Sequence, residues 1–345
     1  MKSICILIIC MFSVFSGFSG QADQLLVLDH YKIPLNKKGI RIGQFITPGQ
    51  EKVTLVKDTA GFFSIDQHGN ISLKKNKVLS PGKPFRYGIT VRYGSNEKSF
   101  ELVKDEFLRN KVVAHRGAWK HDDVHQNSVG ALKNAIALGC ESSEFDVWLS
   151  RDNRVVLNHD HEINNLIVEE TDLSVMREII LESGEVMATL EQYIECIKEQ
   201  NHTRLVLEIK SNKNKRAIAL TDSAVAIVHR MKAQAWVDYI SFDYDALLRV
   251  RALDPTAHTA YLGADRPMDL QKVEKMSGID YHFSQFNRIE RMYERCRMLG
   301  FTVNIWTVND EKIMRELLDM GVDWITTDEP ELLLRLVSER ANGLK

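Results

Sequence analysis

From about Phe107 onward the chain repeats one grammar: a short apolar run, a polar loop, then a helix-length stretch with one apolar face. Eight such runs, marked by His115, Glu144 with Asp146, Glu208, Ser241, Ala260, His282, Ile305 and Ile325, fit into about 240 residues, the arithmetic of a (β/α)8 TIM barrel. Helix punctuation agrees. Asn127-Ser128 supplies an N-cap, Leu132, Ala135, Ile136 and Leu138 an apolar stripe, and Gly139 a stop. Asp310 opens a later helix that buries Ile313, Leu317 and Leu318 and ends at Gly321, and Pro330 suits a first helical position. One run is left over. Arg154-Val-Val-Leu-Asn158 follows Phe145-Asp-Val-Trp-Leu149 after only Arg151-Asp152-Asn153, too short for the crossover between parallel neighbours. It is expected to fold back antiparallel, setting position 146 opposite 158 and position 145 opposite 159.

Residues 23–106 read differently, as a small all-β sandwich domain ahead of a barrel spanning 107–345. Phe63-Ser-Ile65 and Ile71-Ser-Leu73 flank a turn at His68-Gly69-Asn70. Tyr87 to Val91 alternates, and Phe100-Glu-Leu102 closes an antiparallel set. The run from Phe63 to Ile71 resembles the middle of cadherin-like domains. The acidic clusters that bind calcium between cadherin repeats are missing, so calcium is not carried over, and the domain is read as a structural or partner-facing module for protein contacts.

Residues 1–22 have the grammar of a secretory signal peptide. Met1-Lys2 gives a positive start, Ile4 to Phe18 an apolar run shorter than the ~20 residues that span a bilayer, and Gly17 to Ala22 the small residues of a cleavage site. Bulky Ile9 before Cys10 speaks against a lipoprotein. The expectation is an exported protein, periplasmic or extracellular, with no stable membrane insertion after cleavage. Cys140, Cys196 and Cys296 then remain, an odd, widely spaced set with no CxxC pair, read as small buried hydrophobes. With 45 Lys+Arg against 47 Asp+Glu, the chain has no basic excess to recruit nucleic acid.

Functional residues of such barrels gather at the C-terminal ends of the strands. His115-Arg116 ends the first. Glu144 and Asp146, two apart, share one face of the second. The fold-back returns His159-Asp160 to their level, and Glu208 with Lys210 ends the third. Paired carboxylates beside a run as apolar as Phe145 to Leu149 are costly unless a cation or a base meets them. Three carboxylates without cysteine suit a hard cation such as Mg2+ or Ca2+. Arg116 and Lys210 suit a phosphate, and two histidines can divide proton removal from proton donation. Together these indicate phosphoester cleavage.

At this point the chain resembles the glycerophosphodiester phosphodiesterase family, over roughly residues 110–337. His115-Arg-Gly117, Asn127-Ser128, Glu144-Phe-Asp146, His159-Asp160, Leu207-Glu-Ile-Lys210, Trp306-Thr-Val-Asn309 and Thr326-Thr-Asp-Glu-Pro330 stand in the family's order. The resemblance implies a distorted barrel that cleaves small-molecule glycerophosphodiesters to glycerol 3-phosphate and an alcohol with a divalent cation. It implies Glu144, Asp146 and Glu208 as metal ligands and His115 and His159 as the acid/base pair. Arg116, Lys210 and Asn127 would lie at the substrate phosphate, and Trp306 would line the glycerol or alcohol pocket. It further implies attack by the substrate's neighbouring hydroxyl on phosphorus, through a cyclic phosphate that water opens. Three departures stand out. His125-Gln126-Asn127 replaces the usual Pro-Glu-Asn, Ser150-Arg-Asp-Asn153 replaces Thr-x-Asp-Gly, and Glu162 to Asn165 lacks an Arg often found there. Residues 161–187 are expected as an insertion over the mouth. Two alternatives compete. One is a zinc amidohydrolase-like enzyme using His159, His161, His282 and Asp328. The other is an exported, non-catalytic binding protein on the same barrel, suggested by Gln126.

Overall fold

Alternation dictates the N-terminal architecture. Every second side chain of the strand Arg86–Tyr93 is buried, so one of its faces must be covered by another layer. In the computed structural model, which describes residues 25–211 and 216–343, two four-stranded sheets provide that cover. Rings from the two sheets meet edge-on, Phe45 with Phe100 at 5.3 Å and Phe63 with Tyr87 at 6.0 Å. The expected hairpin pairs Phe63–Ile65 with Asn70–Leu73. One pairing departs from the antiparallel expectation: Lys32–Ile33 runs parallel to Val103–Lys104. The signal segment expected over residues 1–22 lies outside the described residues. Among the described residues, no helix is long and apolar enough to cross a membrane.

The last sandwich strand ends at Lys104 and the barrel begins at Val112. Its strands are β1 (Val112–Ala114), β2 (Ser142–Leu149), β3 (Arg204–Ile209), β4 (Val237–Ser241), β5 (Thr259–Tyr261), β6 (Gly278–His282), β7 (Thr302–Trp306) and β8 (Trp324–Thr327). All eight are parallel, and β8 and β2 both pair with β1, which closes the cylinder. The leftover run does fold back: Val155–Leu157 pairs antiparallel with β2, Val147 opposite Leu157. The Asn158 N–H donates to the Asp146 carbonyl at 3.3 Å, the register that chain spacing requires. Beyond it, Val168, Leu173, Met176 and Met187 pack with Trp148 and Val156 in a small cluster of their own.

Helix α1 (Val129–Leu138) starts where expected. Ser128 Oγ accepts from the Ala131 N–H at 3.1 Å, and the helix stops at Gly139. Tyr193 Oη donates to the Ser128 carbonyl at 2.9 Å while its ring lies 4.7 Å from that of Phe145. The cap is thereby tied to the outward face of β2. Cys140 and Cys296 are buried, Cys196 is half-buried, and none is paired. The sandwich sits under the barrel floor, at the N-terminal ends of the strands. Thr256 Oγ1 donates to the Leu28 carbonyl at 3.0 Å, Asn201 Nδ2 to the Lys104 carbonyl at 3.0 Å, and Lys198 pairs with Glu101 at 2.9 Å.

The turn after β1 is the tightest near the site. Arg116 has φ 57° and Gly117 φ 84°, and a Cβ on Gly117 would lie 2.6 Å from the Ala131 Cβ and 2.7 Å from its carbonyl carbon. Gly117→Ala combines a left-handed conformation with a backbone clash. It is expected to cost about 2–3 kcal/mol, read by urea unfolding; an unchanged midpoint would mean that α1 shifts freely.

Candidate active site

Strand parity aims the acidic residues inward. Phe145 and Val147 join the outer core, so Glu144 and Asp146 face the barrel interior. Asp146 lies in register with Glu208 of β3. One oxygen from each of Glu144, Asp146 and Glu208 falls within 4.8 Å of the others, and all three residues are buried. Asn127, itself at φ 58°, uses both ends of its amide on Asp146. Nδ2 donates to Asp146 Oδ2 at 2.9 Å, and the Asp146 N–H donates to Asn127 Oδ1 at 3.0 Å. Both ends of its amide thus hold a carboxylate in place. Lys210 Nζ sits 2.9 Å from Asp146 and 2.8 Å from Glu208, so its ammonium too lies among the acids.

These contacts divide the three carboxyls. Burial and the charges on Asp146 and Glu208 hold the Glu144 carboxyl well above the usual range. Burial and Asp146 likewise raise Glu208. Burial opposes ionisation of Asp146 as well, but Lys210, His159 and Asn127 outweigh it and keep its pKa low. Burial disfavours the Lys210 ammonium, yet Asp146 and Glu208 overcome that and raise its pKa. Glu144 Oε2 accepts from the Arg116 N–H at 2.9 Å, while its Oε1 is buried without a partner. Lys210 and Arg116, whose Nε is 3.7 Å from Asp146, serve the ionised Asp146 first, so Glu144 and Glu208 would ionise fully only with a further cation among them. That requirement, the orphaned oxygen and the all-oxygen donor set fit a hard divalent cation.

His115 stands at the end of β1 with Nε2 4.0 Å from Glu144 Oε2. Its Nδ1 bonds Asp328 Oδ1 at 2.7 Å. Asp328 is itself clamped: Asn309 Nδ2 donates to Oδ2 at 2.7 Å, and the Asp328 N–H donates to Asn309 Oδ1 at 2.9 Å. Since a carboxylate only accepts, Nδ1 carries the proton and Nε2 is left toward the acids. Sequence reasoning placed Asp328 only in the zinc alternative. Its position just past β8, next to β1 in a closed barrel, was the signal available. His159, with 34 % of its side chain exposed, bonds Asp160 at 2.8 Å through Nδ1. Burial, Lys210 and Arg116 lower its pKa against the opposing pull of Asp146. Arg116 Nη1 donates to Gln126 Oε1 at 2.8 Å, so a neutral amide orients the guanidinium and adds no second counter-charge to that of Asp146.

An aromatic wall rises at the ends of β4, β6 and β7. The Trp306 ring lies 5.7 Å from Phe242 and 4.9 Å from His282, and its Nε1 donates to the Asp280 carbonyl at 3.0 Å. Phe242, half exposed, was not singled out from the sequence. Among the described residues, the carboxylate trio is the one cluster with metal-ligand spacing. His282 bonds Ser284 and Asp328 bonds His115, so the zinc arrangement has no geometric counterpart.

The barrel has relatives among known proteins. A model of the glycerophosphoryl diester phosphodiesterase family matches residues 115–332. A glycerophosphodiester phosphodiesterase of Caldanaerobacter subterraneus is 26% identical over 245 residues, covering 67% of this chain and 98% of that protein. The crystal structure of a glycerophosphodiester phosphodiesterase from Parabacteroides distasonis is 36% identical with a TM-score of 0.65, covering 69% of this chain and 99% of that one. A phosphodiesterase of Oleispira antarctica, solved in complex with the product sn-glycerol-3-phosphate, shares the fold at 24% identity and a TM-score of 0.57, covering 66% of this chain and 96% of that one.

Proposed function

Because the chain belongs to the glycerophosphoryl diester phosphodiesterase family, we propose that it hydrolyses glycerophosphodiesters to glycerol 3-phosphate and an alcohol at the barrel mouth. The observation that carries this reading is the buried trio Glu144, Asp146 and Glu208 with His115 at its edge. The product held by the Oleispira antarctica phosphodiesterase supports the same product here. Glu144, Asp146 and Glu208 would hold Mg2+ or Ca2+, which when bound supplies positive charge to the phosphodiester oxygens.

The chain's own residues do the rest. Arg116, oriented by Gln126, meets the phosphate, and Lys210 keeps two of the carboxylates in place while adding charge beside it. Trp306 and Phe242 flank the organic part of the substrate. The neighbouring hydroxyl of the glycerol attacks phosphorus and the alcohol oxygen departs. One imidazole takes the proton of the attacking hydroxyl while the other protonates the leaving oxygen. The roles reverse as water opens the cyclic phosphate. Asn127 and Asp328 are positioning residues, acting through Asp146 and His115. Export to the periplasm or beyond, read from residues 1–22, and a partner-facing sandwich belong to the same proposal.

Turnover of glycerophosphocholine, glycerophosphoethanolamine and glycerophosphoinositol, with Mg2+ or Ca2+ and again with EDTA, tests it. Activity on at least one diester that EDTA abolishes is expected; inactivity on all, with either cation, would leave a non-catalytic barrel. The pH profile adds a sign. A histidine that accepts a proton works only above its pKa, and that of His159 is lowered from 6.5. The acid limb of kcat/KM should therefore fall below that value. Lys210→Ala removes one of the charges that lower it, so the limb should move to higher pH in whatever activity remains. A limb unmoved by that change would take His159 out of the limiting proton transfer.

A further inference from the structure

We propose that the junction between the sandwich and the barrel floor is a second anion site, one that takes a phosphate-type oxyanion, free or as a small phosphomonoester. It lies at the end of the strands opposite the candidate active site, and it does not depend on the reaction proposed there.

Two adjoining cavities of about 220 and 330 Å3 share Lys32 and Arg204 as walls. Lys32, Arg109, Lys111 and Arg204 line the larger, against only Glu141 and Asp323. Both carboxylates are engaged. Glu141 Oε1 accepts from Arg204 Nη2 at 3.1 Å and Trp324 Nε1 at 2.6 Å, and its Oε2 accepts from the Lys111 N–H at 2.8 Å. Asp323 Oδ2 accepts from the Val303 N–H at 2.8 Å. The cations are mostly engaged too. Arg204 also pairs with Asp238, Arg109 bonds both oxygens of Asp105, and Lys111 Nζ donates to the Val322 carbonyl.

Lys32 is the exception. The parallel segment Lys32–Ile33 carries it out of the sandwich and under the barrel, where its Nζ lies 4.8 Å from the centre of the Phe107 ring. Among the described residues no carboxylate comes within 4.0 Å of that ammonium and no hydrogen-bond acceptor meets it. Burial and the neighbouring Arg204 pull its pKa down to about 8. Lys32 is half-buried, and its ammonium is open to a ligand in the cavity it lines. An oxyanion in the larger cavity would accept from Lys32, the one cation of the four that meets no acceptor among the described residues. The smaller cavity also carries Asp29, Asp238 and Asp254, so the larger one is where an anion belongs, and its volume admits a phosphate with a short carbon chain.

Calorimetric titration of the full chain with inorganic phosphate, and separately with glycerol 3-phosphate, tests the assignment. Arg116→Ala weakens anion binding at the rim and isolates the floor. In that background phosphate should still bind, Lys32→Gln should weaken it at least about tenfold, and Lys32→Arg should retain it. Lys32→Gln alone should leave kcat unchanged. Binding of phosphate but not glycerol 3-phosphate assigns the site to the free anion; binding of both assigns it to the monoester class. Absence of binding in Arg116→Ala, or equal affinity in Lys32→Gln, overturns the proposal. So does equal competition by chloride, which would reduce the effect to screening. Should Lys32→Gln fail to fold, the phosphate-induced rise in melting temperature of Arg116→Ala still decides: no rise at saturating phosphate overturns the site.

Discussion

Replacing His115 with alanine is expected to lower kcat on a glycerophosphodiester by about 10³-fold while the melting temperature stays close to that of the parent protein. The imidazole is only partly buried at the strand end, so its loss opens no core cavity. What it removes, on the mechanism proposed above, is one of two proton carriers. Asp328→Asn tests the same unit more finely. The carboxylate that fixes the Nδ1 proton becomes an amide able to donate, and the ring is then free to adopt the other tautomer. The loss should be smaller than for His115→Ala and should fall on kcat rather than KM. Asp328→Glu should recover part of it. Steady-state kinetics on the three variants decides, and an unchanged kcat for His115→Ala would remove this residue from the chemistry.

The second large effect has two parts of opposite sign. Glu144→Gln is expected to weaken divalent-cation affinity by at least about 100-fold, with turnover falling accordingly. In EDTA the same substitution should raise the melting temperature. The parent Glu144 carboxyl is buried beside Asp146 and Glu208, which push its pKa up. An amide keeps the acceptor for the Arg116 N–H and removes the repulsion. Saturating Mg2+ or Ca2+ should stabilise the parent and leave the variant nearly unmoved. A variant that keeps the cation-dependent rise would mean Glu144 is not a ligand. A variant less stable than the parent in EDTA would mean that the acids do not strain the metal-free protein.

The barrel was readable because its signals are local. A run of apolar residues, a capping Ser128 or Asp310 and a stopping Gly139 or Gly321 each act within a few positions. The fold-back strand could be placed to the residue because a three-residue turn leaves one register, and Asn158 duly meets Asp146. The acidic trio was readable from parity on β2 and β3. Contacts between remote stretches were not. Asp328 serves His115 across 213 positions of sequence, and only closure of the barrel, not a local pattern, brings the two together. The resemblance set Asn127 among the substrate contacts, but nothing local foretold that its left-handed backbone would turn the amide onto Asp146. No sequence signal marked Lys32, because the parallel pairing that carries it under the barrel is invisible to period-two patterning.

The two imidazoles have unequal foundations. His115 follows a strand laddered on both sides within the cylinder, whereas His159 follows a ribbon that pairs with β2 on one edge and, among the described residues, meets only Ala188 and Thr189 on the other. Peeling that ribbon would part the two histidines and leave every rung of the cylinder intact. Warming could thus silence the catalyst while the molecule still looks native to circular dichroism. Durability engineered into the staves would not protect the activity unless the ribbon were fastened as well.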